Sequence, residues 1–517
     1  MRALLITFFT FCSYTVTAQL FVKSIYDPSP GSFLESSTLK RNIDSTYDVY
    51  TAQNGLIHMY LDRFGNIIST NTISIAGHTW HGLVEIGKIS DSQYIIAGSS
   101  YQFPYKGNVT LVKMNSDGNP LWVRSIGGFL FGESAANIKN AQDNGFIIAG
   151  VKGYGTTSDE MPSGYLLKTD SLGNVLFAKG FHLGGGGSAV EVIETGSAFF
   201  TIGQTANFFG PSFAYLLKTD KYGNTIWAKS YDSTFIAATS FLQDGNFFVL
   251  AGQTVETTGD AILMKVDTFG NPLWSRQYHF DETSYTQKII RTTDGGYLIS
   301  GIICQTPYVS NSRSRVFFIK TDSSGNMLWC KKFGSQSQGY NGRNMIQDLN
   351  GNFTSIGEYY QGSLQALLMF NTDSAGHGYG VCEEGYDPAV FPVVIGQSAL
   401  TFTETFYNDS SSAYPFTVFP NGMVAVDSCI IGTEGIANVS VNSINLYPNP
   451  STGNITIETS VSNCEIEVYN FRGERVYSKT MSGKTGLVDL TQCTRGLYLC
   501  VVKGPDGSLW RRAFVLQ

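Results

Sequence analysis

The stretch "FIKTDSSGNMLWCKKFG", residues 318–334, places an Asp, a Gly and an Asn in a short loop between two apolar runs. The same pattern returns along the chain, with Asp or Asn at the first turn position and Gly at the fourth. The first turn positions are Asp62, Asn115, Asp170, Asp220, Asp267, Asp322 and Asp373. They lie 53, 55, 50, 47, 55 and 51 residues apart, which is a spacing typical of propellers and other repeat architectures. A loop that recurs seven times is a structural repeat rather than a single-copy site.

The chemistry of this loop is that of a β-hairpin turn. Asp caps the turn backbone, and Gly accepts the positive φ that such turns require. A calcium loop would be the alternative, but it needs several alternating carboxylates and a distal Glu. The motif offers one carboxylate, so we predict tight turns here and no metal site.

A second repeated phrase, of which "DNGFIIAG" (residues 143–150) is one copy, alternates with the first. Its seven copies begin at Asp44, Asp91, Asp143, Thr195, Asp244, Asp294 and Asn350. One repeat therefore reads as four short antiparallel strands, which is the content of one propeller blade. The sequence predicts an all-β protein with a seven-bladed β-propeller. Four tryptophans at one repeat position are predicted to pack between blades: Trp122, Trp227, Trp274 and Trp329.

Composition narrows the class of protein. The chain has 517 residues, of which 15% are charged and 42% hydrophobic, so it is too long for one ordinary domain and too apolar for a disordered chain. The net charge is −7 with no basic stripe, which argues against nucleic acid as a partner. After the N-terminal segment no apolar run reaches the length of a membrane helix, so no transmembrane segment is predicted.

Residues 1–18 have the pattern of a signal peptide. Arg2 precedes the apolar run of residues 3–11, and Val16, Thr17 and Ala18 form a small-residue cleavage site. The chain is therefore expected to be exported. A lipoprotein anchored through Cys12 is disfavoured, because Phe11 stands where a small residue would be needed.

Seven cysteines follow residue 300, and an odd number leaves at least one thiol free or in a bond between chains. Cys304 and Cys330 fall in the second and fourth strands of one blade, while Cys382 and Cys429 bracket a segment that they could close as a loop. We predict a propeller over residues 19–382, a short Cys-bracketed β segment and linker over 383–440, and a further domain over 441–517.

The last 73 residues carry a set of motifs in a fixed order, from "INLYPNPSTGNITIE" (residues 444–458) to "WRRAFVLQ" (residues 510–517). The set resembles the type A C-terminal sorting domain of type IX secretion cargo. The positions that carry the resemblance include Pro448, Asn449, Pro450, Gly453, Gly473, Gly496, Tyr498, Arg511 and Arg512. Arginines stand where the family usually has lysines, which keeps the charge, and three cysteines in this domain are atypical.

This resemblance implies an immunoglobulin-like β-sandwich that is recognised by the outer-membrane type IX secretion machinery. It also implies removal by a sortase-like protease, and a cargo that is either released or held on the outer face of the outer membrane. The alternative is an ordinary terminal immunoglobulin-like module. The signal peptide, the P-N-P opening and the terminal position together favour the sorting domain.

The blade repeats, such as "LLKTDSLGNVLFAK" (residues 166–179), are similar to those of quinoprotein-type propellers and of the bacterial delta-60 propeller repeats. The similarity runs over roughly residues 39–382. It implies a fold and not a function, because one fold serves many functions.

Other candidate chemistry is weak. His78 and His81 are three residues apart but have no patterned third ligand for zinc. The glycines of residues 182–190 suggest a phosphate loop, yet no helix follows to supply a dipole. We find no catalytic motif, and we predict no catalytic, cofactor-binding or metal-binding residues and no cofactor.

Binding is better placed on loops. Successive turns of a blade alternate between its two ends, so the short turns share one face of the propeller and the longer connectors share the other. Aromatic side chains on connectors are candidates for ligand contact: Tyr101, Phe103, Tyr105, Tyr154, Phe208, Phe209, Tyr308, Tyr359 and Tyr360. Packing beneath their own loops is the alternative.

Two function classes follow. We expect a non-enzymatic secreted or cell-surface protein that binds a glycan or protein through its long-loop face. The alternative is an exported hydrolase or lyase with its site at the propeller axis. Loop-borne candidates for that site are Asp232, His279, Asp281 and Glu282.

Overall fold

The fold was analysed in a computed structural model. The structure describes residues 22–27, 34–53, 55–90, 92–101, 107–127, 132–154, 162–182, 186–205, 212–231, 235, 237–254, 259–304, 314–334, 339–361, 364–378, 383–386, 388–400, 403–407, 409–420, 423–427, 445–447, 451–459, 462–470, 475–505 and 509–516. Every regular element within these ranges is a β-strand. The chain forms two compact units, residues 1–432 and 433–517.

The first unit contains seven antiparallel sheets that are the blades of the predicted propeller. Blade 1 contains β2 (Glu35–Arg41), β3 (Tyr47–Ala52), β4 (Leu56–Leu61) and β5 (Ile67–Ile75). Blade 2 contains β6 (Thr79–Ser90), β7 (Gln93–Tyr101), β8 (Gly107–Asn115) and β9 (Pro120–Gly127). Blade 3 contains β10 (Gly132–Asn140), β11 (Phe146–Tyr154), β12 (Ser163–Thr169) and β13 (Val175–His182). Blade 4 contains β14 (Gly187–Thr195), β15 (Ala198–Thr205), β16 (Ala214–Asp220) and β17 (Thr225–Tyr231). Blade 5 contains β18 (Ala237–Asp244), β19 (Phe247–Gln253), β20 (Ala261–Asp267) and β21 (Pro272–His279). Blade 6 contains β22 (Thr283–Arg291), β23 (Tyr297–Cys304), β24 (Ser314–Thr321) and β25 (Met327–Phe333). Blade 7 contains β26 (Gly339–Gln347), β27 (Phe353–Gln361), β28 (Leu364–Thr372) and β1 (Val22–Tyr26).

The recurring Asp-x-x-Gly-Asn loop joins the third and fourth strands of blades 1 to 6. In blade 6 the Asp322 Oδ1 atom accepts hydrogen bonds from the backbone N–H groups of Ser324 (2.8 Å) and Asn326 (2.9 Å), and Oδ2 accepts one from Asn326 Nδ2 (2.8 Å). Gly325 has φ of 76°. The turn therefore satisfies its own carboxylate, and hydrogen bonding to these donors holds the pKa of Asp322 below its usual value even though burial opposes the shift. The loop is a turn.

The same loop also joins neighbouring blades. A Cβ atom placed on Gly325 would lie 2.7 Å from Trp274 Cζ3 of blade 5, and one on Gly376 would lie 2.8 Å from Trp329 of blade 6. Lys179 Nζ of blade 3 donates to Asn224 Oδ1 of the blade 4 turn at 2.7 Å. The tryptophans thus pack between blades, as the sequence predicted. Seven buried apolar clusters fill the seven seams of the ring.

The ring is closed by strands from both ends of the propeller sequence. Strand β1 pairs with β28, with Val22 opposite Phe370, and so becomes the fourth strand of blade 7. Lys23 Nζ then donates to Asn66 Oδ1 of blade 1 at 2.8 Å, which repeats the contact between cation and turn asparagine seen at other seams. The N-terminal strand is therefore part of the fold of the last blade.

Residues 383–427, which we call the belt, add a fifth outer strand to every blade. Its strands are β29 (Glu383–Tyr386), β30 (Ala389–Pro392), β31 (Gln397–Ala399), β32 (Thr403–Phe406), β33 (Ser410–Ala413), β34 (Phe416–Pro420) and β35 (Val424–Asp427). They pair in turn with blades 6, 5, 4, 3, 2, 1 and 7, so the chain runs back around the outside of the ring. The sequence analysis had treated 383–440 as a separate segment. The belt instead covers the exposed edges that seven fourth strands would otherwise present.

Buried ion pairs fasten the belt. Lys152, which is 1% exposed, contacts Asp409 Oδ1 at 2.5 Å and also pairs with Glu133. Tyr165 Oη donates to the other oxygen of Asp409 at 2.5 Å. Lys179 pairs with Glu404 at 3.0 Å. These contacts place belt carboxylates against cations of blade 3, where burial makes pairing obligatory.

In its described ranges the second unit is a β-sandwich of seven strands. Its sheets consist of β36 (Asn445–Tyr447), β37 (Asn454–Glu458) and β40 (Thr485–Asp489), and of β39 (Arg475–Met481), β38 (Cys464–Asn470), β41 (Gly496–Lys503) and β42 (Leu509–Leu516). Ile455, Val468, Val488, Cys500 and Phe514 contribute to one buried core between them. The predicted sandwich is present.

Candidate functional site

The two faces of the propeller differ as predicted. The turns between strands 1 and 2 and between strands 3 and 4 share the short-turn face, while the connectors between strands 2 and 3 share the opposite connector face. The turn motif keeps its length, but the connectors vary from two residues (362–363) to nine (305–313). Variable loops on a rigid frame are where binding sites usually lie.

The structure separates the nine aromatic candidates. Tyr101 ends β7 at the connector face and is 48% exposed. Tyr359 is 5% exposed and packs against Tyr340 at 5.3 Å between ring centroids, so it belongs to the core. Tyr360 is half-buried and its hydroxyl donates to Glu358 at 3.1 Å. Tyr154 lies at the end of β11, but its side chain lies outside the described part. The remaining candidates lie outside the described residues altogether: Phe103, Tyr105, Phe208, Phe209 and Tyr308.

The axis is lined by the first strands of the blades, each of which contacts the first strands of both neighbours. A cavity of about 440 Å³ lies there. Lys139 of blade 3 pairs with Glu85 of blade 2 at 2.7 Å, and Lys288 of blade 6 pairs with Glu191 of blade 4 at 3.2 Å. Burial opposes ionisation of Glu191, but Lys288 and Lys139 outweigh it and lower its pKa. Two carboxylates and two ammonium groups therefore balance each other across the axis.

The sequence analysis did not find this axial network, because its members come from blades about 50 residues apart. The available signal was a Glu or Lys near the middle of a first strand of mixed polar and apolar residues. The residues named for an axial enzyme lie elsewhere. His279 ends β21 beside belt strand β30 and contacts Asp260 at 3.0 Å. Glu282 pairs with Arg315 and Lys332, Asp281 contacts Tyr386 of the belt, and Asp232 lies outside the described residues.

The histidines and cysteines that the sequence analysis singled out are only partly described by the structure. His78 Nδ1 lies 3.0 Å from Ser100 Oγ, and its ring contacts Tyr414 edge-on. The backbone of His81 lies in β6, and its side chain is outside the described part. Among the described residues no group of three or more His, Cys, Asp or Glu side chains could hold a metal ion. Cys304 and Cys330 are buried in blade 6, and Cys382 and Cys429 lie outside the described ranges.

The sandwich shows what some of the motif residues do. Gly453 has φ of 130°, and its carbonyl accepts a hydrogen bond from Leu490 N at 2.7 Å. A Cβ atom there would lie 2.8 Å from Thr491 Cγ2. Tyr498 is buried against Phe514, and its hydroxyl donates to the Thr494 carbonyl at 2.5 Å. These motif residues therefore fix the loops between strands and contribute to the packing of the four-stranded sheet.

Other motif positions are only partly described. Gly496 opens β41 with φ of 150°. Arg511 and Arg512 lie in β42 opposite Val501 and Cys500, with their side chains outside the described part. Pro448, Asn449, Pro450 and Gly473 lie outside it altogether. In the four-stranded sheet of the sandwich, hydrogen bonds from Lys503, Arg475 and Tyr469 lower the pKa of Glu467 to about 2.

Residues 445–516 match the family model of the secretion system C-terminal sorting domain. This match marks the chain as a type IX secretion cargo that is exported across the outer membrane, to the cell surface or to the medium. The structure contains no helix that could cross a membrane among its described residues. No curated protein matches the chain over its sequence.

Several solved structures are similar at low identity. YCF48 from Cyanidioschyzon merolae is 10% identical, with 68% of this chain and 98% of that chain covered and a TM-score of 0.40. Drosophila Semaphorin 2a is 8% identical, with 94% and 96% covered and a TM-score of 0.39. PorZ of Porphyromonas gingivalis, a surface component of the type IX secretion system, is 8% identical, with 93% and 74% covered and a TM-score of 0.27. Likenesses this distant carry no argument about function.

Proposed function

We propose that this type IX secretion cargo is a non-enzymatic binding protein, whose propeller presents a glycan or protein ligand site on its connector face outside the cell. The observation that supports it is the contrast between the two faces: the turns are two to five residues long, while the connectors vary from two to nine residues. A repeated rigid frame with loops of different length on one face suits recognition. Tyr101, exposed at the base of a connector, is an aromatic on this face that a ligand could contact.

In this proposal the signal peptide and the sorting domain act one after the other during export. The N-terminal signal peptide carries the chain across the inner membrane, and the sorting domain directs the folded propeller through the outer membrane. A sortase-like protease then removes the sorting domain within the segment between the two units, near residue 433. The propeller with its belt is the mature product.

The test is a glycan array and a panel of purified host surface proteins, probed with the secreted protein. The double variant Tyr101→Ala/Tyr308→Ala should lose at least tenfold in affinity for any ligand found. The control is Tyr222→Ala, a tyrosine 75% exposed on the short-turn face of blade 4, which should bind as the native protein does. Hydrolysis of a bound glycan, or binding that the connector variant leaves intact, would contradict the proposal.

A further inference from the structure

Blade 1 departs from the repeat at a row of positions that faces blade 2. In blades 2 to 6 the fourth strand carries an aromatic residue at the position opposite the lysine of strand 3: Trp122, Phe177, Trp227, Trp274 and Trp329. In blade 1 the same register position is Ser69, and the facing residue of strand 3 is Tyr60 rather than lysine. The seam between blades 1 and 2 therefore lacks the fourth-strand ring of the next five seams, and the imidazole of His58 lies against the turn glycine of blade 2, Gly118, in its place.

Two core positions of the same blade are polar as well. His58 occupies a register position that is apolar in the six other blades: Leu111, Leu166, Leu216, Leu263, Phe318 and Met369. Asp48 occupies a register position that holds an apolar residue in blades 2 to 6 and Thr354 in blade 7. The six sister blades show that the fold does not need a His or an Asp at these places.

These polar residues form one buried network. His58 Nε2 lies 2.7 Å from Asp48 Oδ1, and Lys40 Nζ lies 2.8 Å from Asp48 Oδ2. Asn42 Nδ2 donates to the same oxygen at 3.0 Å. Asp48 is only 2% exposed. A buried carboxylate costs desolvation free energy that an apolar residue does not, so this network is expected to serve something other than folding.

The network lies beside an open cleft of about 900 Å³ on the short-turn face, bounded by blades 1, 2 and 7. This volume is within the range of about 300–1,000 Å³ that is usual for ligand sites. Tyr60 is half-buried at one wall and donates to Asp44 Oδ2 at 3.3 Å. Tyr94 lies at the opposite wall, with Lys40 Nζ at 3.5 Å from its ring centroid.

The charges that line the cleft are balanced. Three cations face it, Lys40, Arg41 and Lys88, and so do three carboxylates, Asp44, Asp48 and Asp117. A ligand of strong charge of either sign would meet repulsion from one of these groups. A ligand rich in hydroxyl groups can donate to the carboxylates, accept from the ammonium groups, and place an apolar face against a tyrosine ring.

We propose that the cleft between blades 1 and 2 is a second binding site that takes a neutral oligosaccharide. It is distinct from the connector-face site, because it opens on the opposite end of the propeller. Asp48 and Lys40 act as its hydrogen-bonding groups, His58 positions Asp48, and Ser69 keeps the space open.

The repeat itself supplies the test. Ser69→Trp restores the residue that blades 2, 4, 5 and 6 carry, and its indole should fill the part of the cleft that Ser69 lines. Binding is measured by titration calorimetry with neutral hexasaccharides of glucose, mannose and xylose. We expect the native protein to bind at least one of them, and Ser69→Trp to bind it at least tenfold more weakly. Tyr60→Lys, which restores the lysine of blades 2 to 6, should have the same effect and covers the case in which the tryptophan variant does not fold.

Two controls separate this site from the connector face. Tyr222→Ala, in the blade 4 turn, should leave the hexasaccharide affinity unchanged, and so should the connector variant Tyr101→Ala/Tyr308→Ala. The proposal is overturned if no neutral hexasaccharide binds the native protein, if the two cleft variants bind as the native protein does, or if an anionic oligosaccharide binds more tightly and is equally sensitive to Ser69→Trp.

Discussion

Gly325 allows the cost of the turn geometry to be separated from the cost of contact between blades. Gly325 and Gly295 lie in two turns of blade 6, with φ of 76° and 85°. A Cβ atom on Gly295 would have no atom within 4 Å, whereas one on Gly325 would lie 2.7 Å and 2.9 Å from Trp274 of blade 5. The two glycines therefore share backbone strain but differ in packing.

We expect Gly295→Ala to reduce the free energy of unfolding by about 1–2 kcal/mol, because alanine is disfavoured at positive φ. Gly325→Ala should carry the same strain and a further overpacking cost of about 1–3 kcal/mol, because the indole of Trp274 is held by its neighbours. The turn of Gly325 lies on the exposed rim, so some of this cost can relax by movement of the turn.

The assay is urea unfolding of both variants, followed by tryptophan fluorescence. A further 1–3 kcal/mol corresponds to a midpoint lower by roughly 0.3–1 M for Gly325→Ala than for Gly295→Ala. Equal midpoints for the two variants would refute the contact between blades, and two unchanged midpoints would refute the turn geometry. Stabilisation by calcium that Asp322→Ala abolishes would restore the metal-site interpretation of the loop.

Three other predictions follow from the belt, the sorting domain and a lysine–aspartate pair. Asp409→Ala should cost about 3–5 kcal/mol of unfolding free energy, because it leaves Lys152 partly unpaired in a buried site, while Glu384→Ala, whose carboxylate is 58% exposed, should cost less than about 1 kcal/mol; equal losses would contradict the burial argument. Deleting residues 433–517 should leave a folded propeller in the periplasm, whereas deletion from residue 383 should leave no stable propeller, as fractionation and protease resistance would show; a tailless protein in the medium would contradict the sorting role. Hydrogen bonds from Lys320 and Thr292 outweigh burial and lower the pKa of Asp294 to about 2, so the pair stabilises the fold above about pH 4 and loses this effect as the pH falls through about 2. Asp294→Asn should be less stable than the native protein at pH 7, and most of this difference should be gone at pH 2; a constant difference across this range would be inconsistent with the pair.

The repeats could be read from the sequence because each turn uses only local chemistry. Asp322, Gly325 and Asn326 satisfy one another within five residues, and the same constraint recurs in every blade. Blade number, strand order and the two distinct faces follow from counting such turns. The sandwich and its sorting role were equally visible, because the motif positions form a fixed order within one short segment.

The sequence analysis did not predict that the belt pairs with the outer edges of the blades. Its strands are three to five residues long, and their side chains are largely exposed, so they carry no apolar alternation that would assign them to a partner. Their partners lie far away in the sequence: Phe416 of the belt pairs with Ile75 of blade 1. Only the closed ring, with its row of open strand edges, decides where these residues go.

The candidate sites also depend partly on local sequence and partly on tertiary structure. The sequence by itself determined the all-β repeat, the turns, the sandwich and the face on which variable connectors lie, because these depend on residues close together in the chain. The tertiary structure decided that Tyr359 is core, that Glu85 and Glu191 meet lysines at the axis, and that Lys40, Asp48 and Ser69 border one cleft. Those side chains come together through pairing between strands and blades, which fixes distances that no spacing along the sequence contains.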